Sequence, residues 1–95
     1  MFSLWENVIS KTFQIKNKFG LHARPSASFV QTACRFRCKI RVEKDGQCAD
    51  GKSILDLMML AAAQGTSITV KAQGEDAQDA LHALGMLIEG RFGED

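Results

Sequence analysis

Cys38-Lys39-Ile40-Arg41-Val42-Glu43-Lys44-Asp45-Gly46-Gln47-Cys48-Ala49-Asp50 is the stretch that decides the fold. Cys38, Ile40 and Val42 alternate with Lys39, Arg41 and Glu43. That period of two puts apolar groups on one side of an extended chain and charges on the other, a half-buried strand. Asp45-Gly46 suits a two-residue turn whose central positions take positive φ, and residues 47–50 then form a short return strand. A hairpin with one apolar and one wet face belongs to an antiparallel sheet covered on one side.

Upstream, residues 9–15 carry Ile9, Phe13 and Ile15 among Lys11, Gln14 and Lys16, an imperfect period of two and a second strand. Asn17-Lys18-Phe19-Gly20 reads as a loop. From 23 to 35, Ala27, Val30, Ala33 and Cys34 recur at helical spacing. Downstream, a strongly apolar helix is expected over 53–63, with Gly65 placed as its C-cap. Ile68, Val70 and Ala72 alternate with Thr69 and Lys71, a fourth strand. A last helix over 76–89 has Ala77, Ala80, Leu81, Leu84, Leu87 and Ile88 in one stripe. The order βαββαβα predicts an α+β fold, an open-faced sandwich with a four-stranded antiparallel sheet covered on one face by three helices. Periodicity leaves the strand order open.

Ninety-five residues make one domain, too small for a deep catalytic cleft, which favours surface chemistry. A formal net charge of +1 gives no basic excess for nucleic acid, and no apolar run approaches the roughly 20 residues of a membrane span. Residues 1–10 lack the pattern of a signal peptide, so a cytoplasmic location is expected. Cys34, Cys38 and Cys48 read as free structural thiols whose spacing matches no zinc pattern. No metal and no cofactor is expected.

Chemistry concentrates in Gly20-Leu21-His22-Ala23-Arg24-Pro25-Ser26. Gly20 permits a sharp turn, and Pro25 is tolerated in a first helical turn, where its missing donor is not needed. His22 therefore falls at or just before a helix N-terminus. Free amides of that turn, from Ala23, Arg24 and Ser26, can face an anion beside the imidazole. The helix dipole disfavours imidazolium, so a neutral, nucleophilic ring is expected. Arg24 brings a guanidinium for phosphate oxygens. The residues by themselves give an anion site with a nucleophile; a lone histidine before a helix also serves as a cap or a surface residue. No carboxylates for magnesium stand near the motif, so a phosphoryl group would come from a partner protein rather than from ATP.

The segment resembles the active-site signature of HPr, the histidine-containing phosphocarrier of the bacterial phosphotransferase system. Gly51-Lys52-Ser53-Ile54-Leu55-Asp56-Leu57-Met58-Met59-Leu60 is similar to the family's second signature. The resemblance covers about residues 8–92, with 9–92 as the domain and 1–8, including Trp5, as an N-terminal extension. It implies that enzyme I phosphorylates His22 on Nδ1 from phosphoenolpyruvate, with Ala23 and Arg24 binding the phosphate, and that the group passes to an enzyme IIA-type acceptor. Such a protein is a carrier rather than an autonomous enzyme. A monomer is expected.

Ser53-x-x-Asp56 resembles a capping box. In some family members the matching serine is phosphorylated by HPr kinase/phosphorylase, and Asp56 replaces the Gly or Lys usual there. Ile54, Leu55, Leu57, Met58, Met59 and Leu60 cannot all face one core, because a helix turns every 3.6 residues. Some must be exposed, and Ile54, Leu55, Met58 and Met59, flanked by Arg24 and Lys52, are the expected docking patch; the family uses this helix so. Lys16 to His22 and the Met-rich helix also resemble the nitrogen-related branch, in which phosphorylation of His22 or Ser53 decides whether a target such as a transcription regulator is bound. A small hydrolase using His22 and Arg24 is disfavoured for want of an acid partner to activate water. His82 reads as a surface residue. Phe19, where the family often has a small polar residue, is expected to shield the site or touch a partner.

Overall fold

The structure, a computed structural model, describes residues 8–94. Apart from Val8, the expected extension 1–8 with Trp5 lies outside the described residues. Strands β1 (Val8–Gln14), β2 (Lys39–Lys44), β3 (Gln47–Asp50) and β4 (Ser67–Gln73) form one antiparallel sheet in the order β1-β4-β2-β3. Helices α1 (Ala23–Ala33), α2 (Ile54–Met59) and α3 (Ala77–Glu89) complete the βαββαβα order, followed by a 3-10 turn at Arg91–Gly93.

The hairpin forms as its dipeptide requires: Asp45 and Gly46 both take positive φ, 49° and 81°. Register aligns inward residues in rows across the sheet, Ile9-Ala72-Ile40 and Val70-Val42-Ala49 among them. Phe29, Ala33, Leu57, Ala77, Ala80, Leu84 and Ile88 close the core from the helical side, all buried. On the outer face Thr12 and Thr69 share a hydroxyl hydrogen bond of 2.9 Å, and Lys71 pairs with Glu43 at 3.1 Å.

The imperfect period of β1 has a cause. Lys11 lies opposite Val70, in an inward row, but at the sheet's edge. Its stem returns over Phe13, the ammonium 5.3 Å from the ring centroid, and the charge stays in water. An inward charge on an edge strand also discourages pairing with another chain. Gly85 allows α3 to lie on β1, since a Cβ there would stand 3.0 Å from two Phe13 ring carbons.

Asp76 precedes α3 without capping it. Its carboxylate accepts from the Arg37 amide at 2.8 Å and the Cys38 amide at 2.9 Å, tying the α1–β2 turn to α3. The Arg37 amide foremost, with the Cys38 thiol and amide, holds this carboxyl below the ordinary aspartate range. Cys38 itself is buried, which, with the anionic Asp76 beside it, pushes its thiol up to about 11.

Two helix ends differ from expectation. Helix α1 stops at Ala33, with Cys34 as cap, where 35 was expected. Helix α2 stops at Met59, where 63 was expected, and Ala61 at φ 51° takes the left-handed position. Gly65 caps nothing; its amide donates to the Ile15 carbonyl at 2.8 Å. Leu60, Ala61, Ala62 and Ala63 are all apolar, and a short apolar run does not distinguish a helix end from a buried extended segment. Among the described residues no helix is long and apolar enough to cross a membrane.

Candidate functional site

The early exit from α2 is what builds the site. It carries the Ala62 carbonyl to the Leu21 amide, a bond of 2.9 Å. Gly20, at φ 66°, passes so close to Ala62 that any Cβ would overlap the Ala62 carbonyl oxygen. Asn17 closes the loop: its Nδ2 donates to the Gly20 carbonyl at 2.8 Å and its own carbonyl accepts from the Gly20 amide at 3.2 Å. His22 is thereby set as the N-cap residue of α1, φ −76° and ψ −172°, with its ring making no cap bond.

The first helical bond runs from the Ser26 amide to the His22 carbonyl, 3.0 Å, so Ser26 does not belong among the free donors. His22, as the N-cap, offers the first carbonyl of the helix, and Ser26 stands four residues after it; Pro25 has no hydrogen to give. The Ser26 hydroxyl, fully buried, donates to the Leu21 carbonyl at 3.1 Å and locks the turn. The Ala23 and Arg24 amides have no acceptor among the described residues. They face the exposed start of the helix, where a bound anion meets both donors and dipole.

The His22 side chain is 39% exposed, and its Nε2 lies 3.0 Å and 3.2 Å from the two carboxylate oxygens of Glu94. An ionised carboxylate only accepts hydrogen bonds, so this contact puts the proton on Nε2. Nδ1 has no hydrogen-bond partner among the described residues. Phe19, 72% exposed, sets its ring at 88° to the imidazole, centroids 6.2 Å apart, with the Lys18 ammonium 5.4 Å from its own centroid. Lys18, Arg24 and Glu94 line one groove with Phe92. Burial works to raise the Glu94 carboxyl, but hydrogen bonds from Asn17 and His22, and then the electrostatic attraction of His22 and Arg24, outweigh it and hold the group below the ordinary glutamate range.

Sequence reasoning missed Glu94 and Asn17. Glu94 reaches His22 across a separation of 72 residues, which no local spacing encodes. The missing acid partner of the motif therefore exists, as one carboxylate on the far nitrogen of the ring.

Ser53 is the N-cap of α2, its Oγ accepting from the Asp56 amide at 3.2 Å. The reciprocal half of the capping box is absent. The Asp56 carboxylate accepts from the Asp50 amide instead, and the Ser53 amide donates to the Asp50 carbonyl. Aspartate is one methylene shorter than the usual glutamate. Leu57 and Leu60 are buried, while Ile54, Leu55, Met58 and Met59 are 41%, 67%, 40% and 71% exposed. Phe19, His22, Met58 and Ala61 share one shallow depression, which joins this patch to the imidazole. Lys52 is less free than Arg24: its ammonium donates to the Phe36 carbonyl at 2.7 Å.

The family model for the PTS HPr component phosphorylation site matches residues 9–90. The chain belongs to the HPr family of phosphocarriers. HPr of Neisseria meningitidis serogroup B is 47% identical over 87 residues, covering 92% of this chain and 98% of the relative. A crystal structure of HPr from Thermoanaerobacter tengcongensis superposes with a TM-score of 0.88 at 48% identity, covering 92% of this chain and 98% of that one. A second structure from that organism, described as an HPr dimer, gives 0.74 at 50% identity over 86% of this chain and 94% of its own. HPr proteins are phosphocarriers of the phosphotransferase system, and an HPr partner set is one of phosphotransferase enzymes.

Proposed function

We propose that Nδ1 of His22 takes the phosphoryl group from phosphorylated enzyme I, charged by phosphoenolpyruvate, and gives it to an enzyme IIA-type acceptor in the cytoplasm. The observation that carries this is the pairing of a free Nδ1 with two unpaired amides at the head of α1. In the transfer the Nδ1 lone pair forms the bond to phosphorus while the donor's bond breaks. The Ala23 and Arg24 amides receive phosphoryl oxygens, and the Arg24 guanidinium, exposed on one side of the groove, adds bidentate charge. The phosphocarrier domain spans residues 9–92 and acts as a monomer.

Ile54, Leu55, Met58 and Met59 dock the partners, with Arg24 and Lys52 at the rim. An apolar patch with adaptable methionines beside the nucleophile suits brief encounters with several proteins. The position of Ser53, one residue before this patch, favours a second reading. A phosphate placed there by HPr kinase/phosphorylase would set charge beside Asp56 and Ile54 and change which target binds, as in the nitrogen-related branch.

Incubation with enzyme I and phosphoenolpyruvate should add one acid-labile, base-stable phosphate to the protein and none to a folded His22→Ala variant. Undiminished labelling of His22→Ala overturns the proposal.

A further inference from the structure

Glu94 lies beyond the segment that matches the family model, residues 9–90, and the chain goes to some length to bring it to His22. Arg91, Phe92 and Gly93 take φ 59°, 55° and 73°, three left-handed residues in succession, two of them with a Cβ. Left-handed backbone crowds the Cβ of an L-residue and persists where surrounding contacts impose it. Here the contacts are visible: Phe92 is buried, and Glu94 bonds to both His22 and Asn17.

Asn17 gives the second, independent observation. It is fully buried, and its Nδ2 donates both to the Gly20 carbonyl and to Glu94 Oε1 at 3.0 Å, while its Oδ1 has no partner among the described residues. An unpaired buried oxygen costs stability, and both side-chain bonds Asn17 makes among the described residues use its donor end. That donor end ties the loop that sets His22 to the carboxylate that touches His22.

We infer that Glu94 is a positioning residue for phosphoryl transfer: its carboxylate, held by Asn17, keeps the proton on Nε2 and offsets the positive charge the ring acquires when Nδ1 bonds to phosphorus. This rests on His22 being the phosphorylated residue. The step balances without a proton transfer. A neutral imidazole enters with hydrogen on Nε2. The Nδ1 lone pair forms the N–P bond, and the electrons of the broken bond leave with the donor. The ring now carries one positive charge and the phosphoryl group its negative ones. Glu94 faces that charge as a carboxylate faces an imidazolium. When the group moves on, the lone pair returns to Nδ1. A ring that keeps its proton is a better leaving group than one that has lost it, so the phosphoryl group stays transferable. The two ring nitrogens point in divergent directions, so Glu94 leaves the phosphoryl position open.

The test uses the full chain and a small donor, phosphoramidate, so that partner docking plays no part. Long-range proton–nitrogen spectra at about pH 8.5, well above the ordinary histidine pKa, read the His22 tautomer. Wild type should show hydrogen on Nε2. Glu94→Ala should shift toward a mixture of tautomers and lose about tenfold in initial phosphorylation rate, the scale of one charge-assisted hydrogen bond. Glu94→Gln, whose amide oxygen still accepts from Nε2, should keep the tautomer yet react more slowly, a split that a purely structural role would not produce. A wild-type rate in Glu94→Ala overturns the inference. Failure of the wild-type protein to be labelled on His22 overturns the carrier reading instead.

Discussion

Gly20→Ala tests how the site is held. At φ 66° the left-handed backbone costs an alanine about 1–2 kcal/mol. The new Cβ would also overlap the Ala62 carbonyl oxygen, whose position is main chain and has no rotamer to relieve it. The loop must move off Ala62, and the Leu21–Ala62 hydrogen bond of 2.9 Å goes with it, about 1 kcal/mol more. The sum, roughly 2–3 kcal/mol, corresponds to a fall of about 10–20 °C in Tm for a domain of this size. Gly46→Ala is the control: it too has positive φ, 81°, but nothing within 4 Å of its Cβ. It should lose about 1 kcal/mol or less, because alanine also narrows the unfolded ensemble. The assay is a calorimetric melt of both variants beside a phosphorylation rate with enzyme I. Gly20→Ala should be the less stable and the slower, since Leu21 and His22 move with the loop. Equal melting of the two variants, with wild-type rates in both, refutes the reasoning that Ala62 seats the histidine.

Leu84→Ala, at a fully buried position of α3 facing the sheet, should lose about 2–5 kcal/mol in urea unfolding, with the midpoint moving and the slope little changed. Leu55→Asp, on the exposed patch, should stay within about 0.5 kcal/mol of wild type and raise the KM for exchange with enzyme I more than it lowers kcat. The Asp76 carboxyl is depressed in the folded protein. Its stabilisation is therefore present above the unfolded aspartate value and disappears as pH falls through the folded one. Asp76→Asn should be less stable than wild type at neutral pH and converge on it in acid, followed by thermal melts across that range.

The parts legible in the sequence are those whose signal is local. Ile40 and Val42 against Arg41 and Glu43 read as a strand because alternation follows directly from pleat geometry. His22 read as a helix start because Gly20 and Pro25 punctuate the backbone on either side. The exposure of Leu55 and Met59 followed from counting large apolar residues against one helical turn. The rest depended on distant partners. Where α2 ends is decided by Leu21, far upstream in the chain, whose amide claims the Ala62 carbonyl. Lys11 blurred the period of β1 because it sits at a sheet edge, and strand order was unknown until the register was seen. Glu94 was invisible for the same reason, since its meaning comes only from the left-handed turn at Arg91 and Phe92 and from Asn17 beneath it.

The most direct measurement of the central claim is the site of the phosphorus–nitrogen bond. The protein, labelled with nitrogen-15 in histidine and phosphorylated by enzyme I and phosphoenolpyruvate, should show phosphorus coupled to Nδ1 of His22 with hydrogen still on Nε2. Phosphorus on Nε2, or on Ser53 with His22 unmodified, would contradict it.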